Sequence, residues 1–233
     1  MTLLGRGAVT IWNDIDPAGR EIFYAWHEQE HMIERVGIPG FLRGRRYIAI
    51  DAEIEWFTLY ETTTAAVLSG KDYLTRLNNP TDWTRKAVME FRNVTRGLTE
   101  TVAGRGVTDG ACLLVVGMTA DEEVAAVVRD KAPALIEDLA AIPGICSAHL
   151  TEADRAASRI VTAEKRVRGA ANDVPDLVVM VESSRPEPLA AARAKLDAEL
   201  AAVAGLHLLR RAGTYRLEFE VLAQALADRA QDG

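Results

Sequence analysis

A chain of 233 residues is long enough for one large domain or two small ones, with a substantial buried core. Its 48% hydrophobic and 26% charged content excludes disordered and fibrous classes. The net charge of −7 argues against a nucleic-acid partner, and the basic run Lys165, Arg166, Arg168 is too short to reverse that.

The opening Met-Thr-Leu-Leu-Gly-Arg-Gly has no apolar stretch of signal-peptide length, and no later run approaches membrane-spanning length. A cytoplasmic chain without a membrane partner is expected. Cys112 and Cys146 sit in apolar settings and read as free thiols of a reducing compartment. The first predicted strand is Ala8 to Ile15, followed by an amphipathic helix from Glu21 to Val36 that ends at Pro39-Gly40. Strands follow at Phe41 to Ile50 and Trp56 to Glu61. A helix from Thr64 to Leu77, a second helical piece around Trp83 to Phe91, and a strand from Asn93 to Val102 complete the first half.

The second half repeats this order. Ile38-Pro39-Gly40-Phe41 recurs as Ile142-Pro143-Gly144-Ile145, an offset of 104 residues. At that offset the first strand meets Cys112 to Thr119, the helix meets Ala125 to Ala140, and the next strand meets Ile145 to Ala153. Leu59-Tyr60-Glu61-Thr62 then matches Met180-Val181-Glu182-Ser183 at an offset of 121, which implies an insertion of 17 residues near Asp154 to Asp173. Its composition suggests a surface loop or mobile segment. A strand from Leu177 to Glu182, a helix from Pro188 to Val203 and a strand region from Leu206 to Leu222, broken at Gly213, finish the chain. The expected fold class is α+β: two tandem ferredoxin-like β-α-β-β-α-β modules, residues 1–106 and 107–233, packed sheet to sheet as an intrachain α/β barrel.

The first helix carries the most chemistry. His27-Glu28-Gln29-Glu30-His31 matches the H-E-x-x-H zinc pattern, but no third ligand follows at a known spacing and the helix belongs to a repeated α/β module, so no metal is expected. On a helical wheel Ile22, Trp26 and Ile33 centre the apolar stripe, Glu30 projects within it, and His27 and His31 lie just outside its edge. A carboxylate among aromatics makes a general acid or base, or the partner of an arginine on the next strand. On that strand Arg43, Arg45 and Tyr47 share a face, and Trp56, Thr58 and Tyr60 share one on the strand after it. Such Arg and Tyr groups hold a small anion or an enolate-like oxygen, or form the polar rim of a sheet. Trp12, Asn13 and Asn93 are further pocket candidates. At the 104 offset, His27, Glu30, His31, Arg43 and Tyr47 become Lys131, Ala134, Leu135, Ser147 and Thr151. The first module therefore holds the candidate site, and the second reads as scaffold.

The run Trp26-His27-Glu28-Gln29-Glu30-His31, leading through Pro39-Gly40-Phe41 into Arg45-Arg46-Tyr47, resembles the dimeric α/β-barrel superfamily, closest to its EthD-like and uncharacterised branches. The resemblance covers about residues 8 to 61. It implies a small, often aromatic ligand between helices and sheet, near His31, Glu30 and Tyr47. The superfamily includes isomerases, polyketide cyclases, cofactor-free monooxygenases and haem-degrading oxygenases. Fused haem members use a second-half histidine, and neither His149 nor His207 has a recognisable motif around it. The leading expectation is an isomerase, lyase or cyclase without metal or cofactor, acting on a cyclic or aromatic metabolite. His31 and Glu30 would exchange the proton, Arg43, Tyr47 or Tyr60 would hold the oxyanion, and His27, Trp26, Arg45, Trp12 and Asn13 would contact the ligand. The alternatives are an oxygenase of the same superfamily, cofactor-free or haem-dependent, and a non-catalytic ligand-binding protein. A homodimer is compatible with either.

Overall fold

Strand-forming runs separated by glycine turns dominate both halves, and in the computed structural model they close on one another. The structure describes residues 3–169, 173–209 and 212–231. The first half contributes β1 (Gly7–Ile15), β2 (Phe41–Asp51), β3 (Trp56–Thr62) and β4 (Phe91–Gly106). The second contributes β5 (Cys112–Thr119), β6 (Ile145–Ala153), β7 (Leu177–Ser183) and β9 (Gly213–Leu222), with a two-residue β8 (His207–Leu208) beside β5. The order β7-β6-β4-β1-β3-β2-β9-β5, with β5 returning to β7, is a closed eight-stranded antiparallel barrel. Closure gives each of the eight barrel strands a neighbour on both sides. The two halves meet at β2 with β9 and at β4 with β6.

Helices cover the outside. Over the first-half strands lie α1 (Arg20–Trp26), α2 (Met32–Val36), α3 (Lys71–Asn78) and α4 (Asp82–Ala87). Over the second-half strands lie α5 (Glu122–Ala140) and α8 (Glu187–Ala201). Asp121 caps α5 by accepting from the Val124 N–H, and Glu122 and Glu123 complement its positive end. Both Pro-Gly turns place glycine at positive φ, +92° at Gly40 and +90° at Gly144, a conformation that side chains resist. Apolar residues thus form three layers: the barrel interior around Trp12, Phe57, Leu113 and Met180, and one layer under each helical face.

Several expectations need correction. The segment expected as a loop near 154–173 holds two short helices, α6 (Arg155–Arg159) and α7 (Ala163–Arg168), capped by Asp154 and Thr162; residues 170–172 lie outside the described residues. The strand region from Leu206 to Leu222, by contrast, divides as expected, into β8 and a β9 that starts at Gly213, with 210–211 outside the described residues. The chain ends in an unanticipated helix, α9 (Ala223–Gln231), and the helix expected from Thr64 becomes a 3-10 turn followed by α3. Cys112 is buried and Cys146 half-buried, both as free thiols. Among the described residues no helix is long and apolar enough to cross a membrane.

Candidate active site

Between α1 and α2 the helix widens into a π turn over His27–His31, where the Met32 N–H reaches back to the His27 carbonyl. One extra residue in the turn shifts the phase of everything after it. Phe23 and Trp26 before it, His27 and His31 at its two ends, and Met32, Arg35 and Val36 after it are all buried toward the sheet. The wheel holds for Trp26, Phe23, Met32 and Val36, which are buried, and fails elsewhere: Ile22 and Ile33, placed with Trp26 at its centre, are 42% and 41% exposed, while His27 and His31, placed outside its edge, are only 3% and 7% exposed.

The buried imidazoles lie in an aromatic layer. His31 packs against Trp26 with ring centroids 4.1 Å apart, 5.5 Å from His27 and 6.4 Å from Tyr60. His27 stacks on Phe23 at 5.0 Å. Burial, then the cations of Arg46 and Arg35, pushes the His27 pKa well below its ordinary value. Burial, then Arg35, His27 and Arg96, does the same for His31. Both rings are neutral near pH 7. Arg46 can only donate, so the 3.4 Å contact from its Nη1 makes His27 Nδ1 the acceptor. His31 Nδ1, Tyr60 Oη and Arg35 Nη1 are buried and find no hydrogen-bond partner among the described residues, and the same holds for Asn13 Nδ2 and Trp56 Nε1. So many unmet polar atoms on one helix-covered face call for an account.

Glu30 is half-buried. Its carboxylate accepts from the hydroxyls of Thr81 at 2.6 Å and Thr84 at 3.2 Å, not from an arginine. Thr84 in turn accepts from Trp26 Nε1 at 3.1 Å, which locks that indole in place. Glu28 pairs with Arg46 at 2.7 Å, the same guanidinium that reaches His27, so both acidic residues of the zinc-like pattern are engaged by other side chains. Among the described residues no three His, Cys, Asp or Glu side chains come together to hold a metal ion.

The other expected residues do not share this space. Trp12 and Tyr47 belong to the barrel interior, on the opposite face of the sheet from His31. Arg43 and Arg45 point the same way as Tyr47. Arg43 donates to Glu61 at 2.8 Å and to Asp109 at 2.7 Å, and Arg45 bridges Glu61 at 3.0 Å and Glu182 at 3.1 Å. Glu182 also accepts from the Gly110 N–H, so this buried cluster ties the two halves together through the barrel. An oxyanion held by Arg43 or Tyr47 could not face a proton at His31. Tyr60 can, because it lies on the helix side of the sheet. Asn93 is exposed, at φ 52°, and donates to Asp14.

Five contributors escaped the sequence reading: Arg35, Arg96, Glu164, Lys165 and Arg168. Arg35 is buried and pairs with Glu164 of α7, which reaches across from the second half. Ala157 of α6 and Val167 of α7 pack on the same layer, and the Leu98 N–H donates to Ser158 Oγ at 2.9 Å. Arg35 had a signal, standing one helical turn beyond His31. Arg96 on β4, and Glu164, Lys165 and Arg168 from a segment far along the chain, had none that tied them to this helix.

A second-half haem site does not fit this chain. The layer under α5 and α8 is filled by apolar side chains such as Leu114, Val116, Ile136 and Leu196. His149 points instead into the barrel, where burial and then Arg45 push its pKa down to about 4. His207 is exposed on β8.

No family model matches the chain, and no curated protein matches it. Solved structures do. It is similar to an anthrone oxidase-like protein (TM-score 0.62, 11% identity, 96% of each chain covered). A proposed monooxygenase from Fusobacterium nucleatum subsp. nucleatum matches with a TM-score of 0.58 and 6% identity over 94% of this chain and 95% of that one. A chlorite dismutase variant from Candidatus Nitrospira defluvii, in complex with cyanide, matches at 0.53 and 11% identity over 95% and 93%. These neighbours are of oxidoreductase type, which overturns the expected isomerase, lyase or cyclase. The chain thus shares the fold of these monooxygenase-like and chlorite dismutase-like structures over nearly its whole length.

Proposed function

We propose that the protein is a cofactor-independent oxygenase that oxidises an electron-rich aromatic substrate beside His31. The observation that carries this reading is a buried, neutral imidazole whose Nδ1 has no partner among the described residues, set against Trp26 and Tyr60. The neighbours' oxidase and monooxygenase descriptions support the reaction class, and the apolar packing under α5 and α8 favours a route that places no haem there.

In this scheme Nδ1 of His31 takes a proton from an activated ring CH2 or phenolic hydroxyl. A depressed pKa makes His31 a weak base. The same Arg35 and Arg96 that depress it lower the energy of the substrate anion, so proton transfer remains accessible. The Tyr60 hydroxyl, kept protonated by burial, donates to the developing oxyanion. The anion passes one electron to O2, and the two radicals combine to a peroxide. Loss of water then turns CH2 into C=O, so that substrate and O2 give ketone and H2O. The apolar walls keep bulk water from quenching the anion.

Two finer points belong to the same proposal. The halves have matching strand orders, β4-β1-β3-β2 and β9-β5-β7-β6, which supports two tandem ferredoxin-like modules over 1–106 and 107–233. The first-half motif supports an EthD-like origin. Oxygen uptake with anthrone as the probe tests the reaction. Quinone should form in step with oxygen consumed, and His31→Ala should slow it by about 100-fold or more. A wild-type rate in His31→Ala would refute the proposal. No uptake by the wild type would leave a ligand-binding role as the better reading.

A further inference from the structure

Helix α8 differs from α5 in what it shows to solvent. Its inner face, Leu189, Ala192, Leu196 and Leu200, is buried on the second-half strands. The outer face of such a helix normally carries charge, as α5 does with Asp130, Lys131, Glu137 and Asp138. Outward from α8 stand Ala190, Ala191, Ala194, Ala198, Ala201 and Ala202, all exposed, and the four charged residues between them lie on the two flanks. An apolar groove opens along each flank. One, of about 210 Å³, lies against α5 and includes Val128, Leu135 and Val203; the other, of about 320 Å³, lies against β8 and includes Leu206 and Leu208. Leu208 is 52% exposed. The helix propensity of alanine accounts for its frequency here. It does not account for the grooves, or for where the charges stand.

Both flanks carry a cation four residues before an anion. Toward β8 these are Arg193 and Asp197; toward α5 they are Lys195 and Glu199. A two-fold axis that lays a second α8 antiparallel on the first, centred at Leu196, brings each flank against the same flank of the copy in reverse order. Cations then meet anions on both flanks, while Ala194 meets Ala198 and Ala191 meets Ala201 along the middle. A parallel pairing crosses the flanks instead. It sets Arg193 against Lys195 and Asp197 against Glu199, like against like. We propose that this face docks a second copy of the chain, with the two α8 helices packed antiparallel about an axis near Leu196. The reaction proposed above does not enter the argument. Small side chains along the contact let the helix axes approach closely. A helix of 15 residues, about 22 Å long, gives too little contact by itself, so the interface draws in the walls of both grooves.

Sedimentation equilibrium of the full chain at tens of micromolar should return twice the mass of one copy. Ala194→Glu combined with Ala198→Glu keeps good helix formers on an exposed face but crowds four carboxylates onto the axis. That variant should sediment as a monomer, with circular dichroism and Tm close to wild type. Lys195→Glu alone should raise the dimer Kd by about tenfold, and adding Glu199→Lys should restore it, because the exchange preserves the complementarity. Lys71→Glu, exposed on α3, is the control and should dimerise like wild type. A monomeric wild type overturns the proposal, whether the face is then left to water or to some other protein. A dimer that survives the paired alanine substitutions does the same. A dimer unchanged or strengthened by Lys195→Glu overturns the antiparallel arrangement, since only a parallel pairing gains from that change.

Discussion

His149 offers a quantitative test of burial inside the barrel. Its residue is fully buried, and burial followed by Arg45 lowers its pKa to about 4 against an ordinary 6.5. The folded state thus binds fewer protons than the unfolded state wherever the pH lies between those values. Stability from this group is complete above the unfolded pKa and is lost as pH falls toward the folded one. Integrating the two titrations from pH 7 to pH 4.5 gives a loss of about 2 kcal/mol from His149 alone. Replacing it as His149→Gln removes the titration while keeping a polar side chain of similar length. Carboxylates, His27 and His31 still titrate in both proteins, so the difference between them isolates the one ring. Urea unfolding followed by tryptophan fluorescence at pH 7.0, 5.5 and 4.5 should show the variant losing less stability on acidification, by roughly that amount. Parallel losses in the two proteins would show that the ring is not held neutral by the barrel interior.

Arg45→Met leaves Glu182, 1% exposed, without its cation while Glu61 keeps Arg43, and should cost about 3–5 kcal/mol in urea unfolding. A Cβ at Gly44 would sit 2.9 Å from Met32 Cε and 3.0 Å from Val36 Cγ2, so Gly44→Ala should push α2 off the sheet and cost about 1–3 kcal/mol. Arg35→Met leaves the half-buried Glu164 without this partner. Trypsin should then cut at Arg159, Lys165 or Arg166 faster than in wild type, with cleavage sites read by mass spectrometry.

Much of the barrel was legible because its signals are local. β5 matches its expected span, and β7 differs from it by one residue, since a run of Leu, Val and Met bounded by turn residues has few alternatives. The Pro-Gly turns were legible for the same reason. The helix face was not, because a wheel assumes a constant angle per residue and the π turn at His27–His31 breaks that assumption. The sides taken by Arg43, Arg45 and Tyr47 alternate as expected. Whether that side meets helices or the barrel interior depends on closure of β5 with β7, which no local pattern records. Arg and Glu at these positions read as rim polarity. Their burial becomes intelligible only once Glu182 arrives from the second half.

The π turn also sets a limit on how this helix can change length. Its extra residue rotates the chain by about 100° between Trp26 and Met32. Gln29 is exposed and its side chain could be spared, yet removing the whole residue would leave one end of the helix facing the wrong way. Either Phe23 and Trp26 or Arg35 and Val36 would swing toward solvent. At this position the count of residues matters more than their identity, and a single-codon deletion would do more harm than any substitution at the same place.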